Sequence, residues 1–421
     1  MKNILILGAG TAGTIMANHL RKKVDLSSWR IQIVDEHPGH FYQPGFLFMP
    51  FGIYTEKDVV KPKRRFIPRG VEYVEAAVER IDAEKNRVRL ADGSELRYDV
   101  LIIATGTRPV PSQTEGMEGG DWRKRVHDFY TFEGARALAA KMRDWKGGRL
   151  VVHISEMPIK CPVAPLEFSF LADSWLRDQG LRDKTEIVYV TPLSGAFTKP
   201  IASGILSHLL EEKGIRVLND FNIARVDNEQ HKIVSWDEKE VDYDLLVTVP
   251  VNMGAAMIER SGLGDELNYV PTDKHTLRSR QHKNIFVIGD ATDVPTSKAG
   301  SVAHFEAEVL IQNILDFIRG DPLCSRFDGH ANCFIESGRG KGFLLDFNYS
   351  LEPVPGRFPF AAFGPLALLG ESRLNHWSKM AFKWAYWNLL LKARPIPFVD
   401  HKMSLAGKEI PSGALKAEAA T

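Results

Sequence analysis

Residues 3–7 (NILIL) form an uninterrupted apolar run, and Gly8-Ala9-Gly10-Thr11-Ala12-Gly13 follows with no spacer. A strand that is apolar at every position is buried on both faces, which points to a parallel sheet covered by helices. A helical pattern at 14–21 comes next, then a second buried strand at 30–34 that closes on Asp35-Glu36. This is a βαβ unit, and it gives the glycine spacing a physical meaning. Gly8 permits the tight turn, Gly10 lets the backbone approach a pyrophosphate, and Gly13 lets helix and strand pack closely. The helix N-terminus offers free N–H groups and a partial positive charge to the phosphates. Asp35 follows the loop at about the twenty-residue spacing at which a carboxylate accepts hydrogen bonds from an adenosine ribose. The expected dinucleotide site therefore includes Gly8, Gly10, Thr11, Ala12, Gly13, Asp35 and Glu36. The alternative is a glycine-rich turn with no ligand.

The chain has 421 residues, enough for two or three domains with substantial cores. A net charge of +1 provides no global field for nucleic acid, so no such partner is expected. Three cysteines, Cys161, Cys324 and Cys333, are too few for a disulfide scaffold, and their spacing fits no zinc site. The N-terminal MKNILILGAG starts as a strand, so no signal peptide is expected. No stretch approaches the roughly eighteen apolar residues that span a bilayer.

Short strands are expected across 72–88, with Val78 among them, and a buried strand at 99–104. A helix at 132–145 precedes a second α/β unit: strand 149–154, helix 165–178, strand 186–190, helix 201–213 and strand 244–248. The run at 283–288 returns to the first sheet, and a helix at 300–317 follows. The expected fold class is α/β, with two tandem Rossmann-like dinucleotide-binding domains and a C-terminal region. The first domain is discontinuous, 1–112 with 265–325. The second spans 113–264 and the C-terminal region 326–421. Residues 408–421 are small and polar and are expected to be disordered.

The stretches Ile102-Ile103-Ala104-Thr105-Gly106 and Val287-Ile288-Gly289-Asp290 resemble two signatures of the two-dinucleotide-binding-domain flavoproteins. The resemblance implies that the dinucleotide is FAD and that Asp290 contacts its ribityl chain. It also adds Gln43, Val78, Ala104, Thr105, Gly106, Gly289 and Gly300 to the cofactor residues. A helix starting near Gly300 would aim its N-terminus at the flavin pyrimidine ring and stabilise negative charge there. Lys298, just before it, either adds a full charge or is a surface lysine.

Most members of that superfamily carry a second glycine loop for NAD(P)H after the first strand of the second unit. Here that strand leads into Ser155-Glu156-Met157-Pro158-Ile159-Lys160-Cys161-Pro162, which contains no glycine. Glu156 sets a carboxylate where a pyrophosphate would lie, and two prolines remove N–H donors. A nicotinamide site is therefore not expected, and a cysteine stands in its place.

His40-Phe41-Tyr42-Gln43-Pro44-Gly45, Ile159-Lys160-Cys161-Pro162 with Ala164-Pro165, Pro295-Thr296-Ser297-Lys298 and Asn332-Cys333-Phe334 resemble the sulfide:quinone oxidoreductases. The flavin subunit of flavocytochrome c sulfide dehydrogenase is a relative of that family. The resemblance implies that Cys161 and Cys333 form the redox pair on one face of the flavin. Sulfide would attack a disulfide or bridging sulfur and leave a persulfide, by ordinary thiol–disulfide exchange. Two electrons would pass to FAD and then to quinone. Glu167, six residues after Cys161, is the candidate proton carrier, or else a solvated helix residue. Several members have a third cysteine, in some linked to FAD. Residues 125–128 (RVHD) have none, which argues for non-covalent FAD. Cys324 is expected to be structural or incidental.

In the tail, Leu374, Trp377, Ala381, Trp384, Asn388 and Leu391 share one stripe of a helical pattern over 371–394. Arg373, His376, Lys379 and Lys383 flank it. A basic, Trp-rich amphipathic helix either lies in a membrane interface or packs on its own domain. The first reading makes the chain a peripheral membrane protein. Phe334, Phe360 and Phe363 are candidate walls for a quinone ring. The expected activity is thus FAD-dependent sulfide:quinone oxidation at a membrane surface, with homo-oligomerisation open. A flavocytochrome c-type sulfide dehydrogenase, a type II NADH:quinone oxidoreductase and a silent FAD-binding homologue are the rivals.

Overall fold

The computed structural model describes residues 1–361 and 363–415. Its first sheet is parallel, with strands in the order Ile285–Val287, Val100–Ile103, Lys2–Leu7, Trp29–Asp35 and Glu72–Glu75. Ile4, Leu5, Ile6 and Leu7 are wholly buried, as helices on one face and small strands on the other require. From Lys2–Leu7 the chain steps one way to Trp29–Asp35 and later returns on the other side as Val100–Ile103. That reversal opens a crevice at the carboxyl ends of the strands, where ligands of open α/β sheets bind. The helices Thr11–Lys23 and Gly300–Arg319 pack together above it.

The second sheet repeats the plan in the order Val126–His127, Leu245–Val249, Gly148–Ile154, Thr185–Val190 and Arg216–Leu218. Its own reversal lies beside Gly148–Ile154, so the chain leaving that strand enters a second ligand position. It runs instead through Pro158 and Cys161 into the helix Ala164–Asp178.

The C-terminal region is a mixed four-stranded sheet, Ala331–Gly338, Lys341–Phe347, Leu366–Leu368 and Gly356–Phe358, with the helix Arg373–Asn388 packed on it. That helix is shorter than 371–394. Ser372 caps it by accepting the Asn375 N–H at 3.1 Å, and a 3-10 turn, Leu390–Lys392, follows. The expected stripe is interrupted. Leu374, Trp377 and Trp384 are exposed, whereas Leu391 is buried in the turn and Asn388 donates back to the Trp384 carbonyl. Trp387 is buried and stacked on Phe66, next to the inward-facing Tyr386 at the end of the helix. No helix among the described residues is long and apolar enough to cross a membrane.

The expectation of disorder from residue 408 fails at its start. The Lys408 side chain is buried and ion-paired with Asp346, which also accepts from His330 at 2.7 Å. A buried carboxylate needs a cation, and the tail supplies it. Residues 416–421 lie outside the described residues.

Candidate functional site

A cavity of about 350 Å3 occupies the crevice of the first sheet. Gly8, Gly10, Thr11, Ala12 and Asp35 line one end, and Ala104, Thr105 and Gly106 the adjoining wall. Gln43, Gly289, Asp290, Lys298 and Gly300 line the rest, together with Cys161 and Glu167. Three expected cofactor residues lie off the wall. Gly13 sits beneath the loop, Glu36 points to solvent beside His37, and Val78 belongs to a small separate sheet.

The glycines do different work. Gly8 adopts φ +93°, and a Cβ there would come within 2.5 Å of the Ala104 carbonyl oxygen. A Cβ on Gly13 would lie 1.9 Å from the Gly8 carbonyl oxygen. A Cβ on Gly10 would meet no protein atom within 4 Å, so that space belongs to the cavity. The helices starting at Thr11 and Gly300 have no side-chain cap and no acidic residue in the first turn. Their open N–H groups face the cavity with two positive dipole ends. Asp35 accepts the Ala9 N–H at 2.7 Å and the His37 N–H at 2.9 Å and is ion-paired with Lys63, so it holds the glycine loop as well as edging the cavity.

Lys298 is not a surface lysine. It is buried, donates to the Thr292 carbonyl at 2.6 Å and lies over the Tyr269 ring. Burial lowers its pKa, and Asp290 counters that. Burial raises the Asp290 carboxyl, against the pull of Lys298 and Lys160. Lys160 is also buried and donates to Gln43 Oε1 at 3.0 Å. Glu306 accepts the Gly289 N–H at 2.6 Å, and burial lifts its carboxyl to about 7.

These features fit FAD, the dinucleotide that the sequence resemblance implies. Gly10 with the Thr11 helix would take the pyrophosphate, Asp290 the ribityl chain, and the Gly300 helix with Lys298 the electron-rich edge of the flavin ring.

Cys161 stands at the far wall in a left-handed conformation, φ +48°. For a residue with a Cβ this costs about 1 kcal/mol. The turn is held from both sides. Cys161 N–H donates to the Lys298 carbonyl at 2.8 Å, and the Tyr130 hydroxyl donates to the Cys161 carbonyl at 3.1 Å. Cys333 lies on the strand Ala331–Gly338, which packs against the helix that follows Cys161. The two thiols interact electrostatically with each other, with Glu167 and with Lys379. Cys324 is exposed.

Glu167 is not solvated: it is 1% exposed. Its Oε1 accepts the Glu336 N–H at 2.7 Å and forms an ion pair with Lys379 Nζ, which also donates to the Phe334 carbonyl at 2.9 Å. Lys379 therefore corrects its expected place as a flanking surface charge. Along the helix, Lys379 and Tyr386 are seven residues apart and face inward. Trp377 and Trp384 keep the same spacing on the other side. Tyr386 completes the wall, its hydroxyl 2.7 Å from Thr11 Oγ1 and 2.8 Å from His40 Nε2.

Burial pushes the Cys333 thiol up to about 12, with Lys379 opposing and Glu167 adding to the rise. Burial raises Cys161 as well, reinforced by Glu167 and Cys333. Burial works against the Lys379 ammonium, but Glu167 and Glu336 raise its pKa above the ordinary lysine value. Burial raises the Glu167 carboxyl, against the pull of Lys379. The arrangement suits proton movement. A thiol proton passed to Glu167 would neutralise that carboxylate, so the thiolate left behind would face the Lys379 ammonium with no negative charge from Glu167 beside it.

The quinone candidates do not reach the cavity wall. Phe334 is half-buried on its strand, while Phe360 and Phe363 pair with each other on an exposed loop, with Phe398 against Phe360. Lys379, Tyr386, Tyr130 and Glu336 were not among the expected site residues. Only the seven-residue spacing opposite the Trp stripe hints at the first two.

The model of the pyridine nucleotide-disulphide oxidoreductase family matches residues 2–153. Mitochondrial sulfide:quinone oxidoreductase of Dictyostelium discoideum is 28% identical, over 93% of this chain and 86% of its own. The mouse counterpart is 24% identical, over 92% and 86%. The crystal structure of sulfide:quinone oxidoreductase from Aquifex aeolicus superimposes with a TM-score of 0.75 at 20% identity, covering 92% of both chains.

Proposed function

We propose that this chain, a flavoprotein of the sulfide:quinone oxidoreductase family, oxidises sulfide at Cys161 and Cys333 and delivers the electron pair to a membrane quinone. The observation that carries the reading is the clustering of Cys161, Glu167 and Lys379 on the wall of a cavity suited to FAD, with Cys333 within their electrostatic reach. The two cysteines come from different domains, 172 residues apart (333 − 161), so their meeting depends on the whole fold.

With the pair bridged, sulfide attacks one sulfur, a substrate–cysteine S–S bond forms, and the other cysteine leaves as thiolate. Lys379 stabilises that thiolate, and Glu167 takes the proton. Tyr130 and Lys298 hold the Cys161 turn in place through its backbone. Bound FAD supplies the two-electron acceptor that links sulfur to quinone.

The test is anaerobic mixing of the FAD-loaded protein with sulfide and, separately, with NADH. Sulfide is expected to bleach the flavin within the mixing experiment and NADH to leave it unchanged. Bleaching by NADH alone would sink the proposal.

The quinone requirement bears on the outer surface. Leu374, Trp377 and Trp384 expose one face of the last helix, and Phe360, Phe363 and Phe398 expose an aromatic loop. We assign both to contact with the lipid interface, where indoles favour the headgroup region. The two Trp side chains are 65% and 63% exposed. Sinking half of that area contributes roughly 2 kcal/mol each at about 25 cal/mol per Å2. Trp377→Ser with Trp384→Ser is therefore expected to weaken vesicle co-sedimentation about a hundredfold or more while leaving FAD bound. Unchanged sedimentation would remove the helix from the interface.

A further inference from the structure

One buried acid lies beyond the steps described so far. Glu336 is 2% exposed, on the strand that carries Cys333. Its N–H is the group that Glu167 accepts, and its own carboxylate adds to the field on Lys379. Glu336 Oε2 accepts from His376 Nδ1 at 2.8 Å, while Oε1 is buried with no partner. His376 lies three residues before Lys379 on the last helix and is 20% exposed, so it reaches solvent. Tyr54 is the other titratable group that feels Glu336, and its hydroxyl contacts Met380 on the same helix. Acid, amine, acid and imidazole thus form a line from the thiols to the surface: Glu167, Lys379, Glu336, His376.

We propose that Glu336 and His376 carry the proton released at the cysteine pair out to solvent. The proposal rests on sulfide as substrate. Each HS⁻ oxidised to zero-valent sulfur yields two electrons and one proton. The electrons pass to FAD, whose reduction takes up a proton of its own from solvent, and the proton set free at the sulfur is what this line conducts. Glu167 receives it, the Glu336 N–H that donates to Glu167 sets the two acids side by side, and Lys379 balances their charge without itself needing to change charge. The free oxygen of Glu336 is the vacant acceptor, and His376 hands the proton to water. Both are positioning residues in the sense that neither touches sulfide.

The test uses the FAD-loaded protein with sulfide and no quinone, and it reads the rate of flavin bleaching, because the proton lost at sulfur is matched by one taken up on flavin reduction and no net proton appears in solution. Wild type is expected to bleach in one fast phase. His376→Asn keeps a donor for Glu336 but cannot titrate. It is expected to bind FAD normally, to bleach about tenfold more slowly, and to recover when imidazole is added. Glu336→Gln is expected to show the same slowing without recovery, because the link inward of the imidazole is broken. Bleaching of His376→Asn at the wild-type rate overturns the proposal. Slowing that imidazole does not relieve marks a structural role and overturns it as well. Failure of sulfide to bleach the wild-type protein is a different result, and it removes the parent reading instead.

Discussion

Cys333→Ser is expected to retain FAD and to lose bleaching by sulfide by at least about ten-thousandfold. Serine preserves size and the strand register opposite Leu345, so the fold is not disturbed. What disappears is the sulfur–sulfur bond that sulfide must break. A hydroxyl cannot form it, and an alkoxide would leave far less readily than a thiolate. Cys161→Ser should behave alike, because exchange needs both atoms. The measurement is stopped-flow absorbance of the flavin, with cofactor content determined separately. Normal reduction of either variant would show that electrons enter without the pair. Cys324→Ser, at the surface, is the matched control and is expected to react as wild type.

Gly13→Ala is expected to be as damaging for a different reason. The new methyl carbon would lie 1.9 Å from the Gly8 carbonyl oxygen and 3.3 Å from Ile6 Cγ2. Backbone cannot yield as a flexible side-chain end does, so helix and strand must separate. Overpacking alone costs about 1–3 kcal/mol, and here the displaced groups also shape the phosphate loop. The variant is expected to bind FAD at least tenfold more weakly and to melt several degrees lower. Gly10→Ala separates the two effects. Nothing in the protein lies within 4 Å of its added carbon, so the protein should melt normally without cofactor yet bind FAD poorly. Equal melting points for Gly13→Ala and wild type would show that the close approach is not needed.

How far these residues could be read from the chain follows from how local their signals are. The glycine loop and its flanking strand and helix lie within two dozen residues and specify one another through burial and turn geometry. The return of Gly289-Asp290 to the same sheet was legible for the same reason, as a second apolar run closed by a turn. The proposed cysteine pair was not legible from spacing; it came from resemblance. Lys379 illustrates the limit. Its partner Glu167 is 212 positions away, and an outward Trp stripe draws attention to the wrong face of its helix. A lysine two residues from an exposed Trp lies more than half a turn round the cylinder, which puts it inside. Glu336 carries no sequence signal at all, since its role depends on a neighbour across a helix and an oxygen left without a partner. The tail was misjudged because small residues conceal one lysine whose charge the core requires.

The last helix has a practical consequence. Its two faces belong to different problems: one is the face we assign to lipid, the other neutralises Glu167 and touches the glycine loop through Tyr386 and Thr11. A truncation before residue 373 would therefore not yield a water-loving catalytic core. The cut that removes the greasy surface also takes away the ammonium beside the thiols and leaves a bare carboxylate in the interior. Solubility has to be sought by changing Trp377 and Trp384 one side chain at a time, with the helix kept whole.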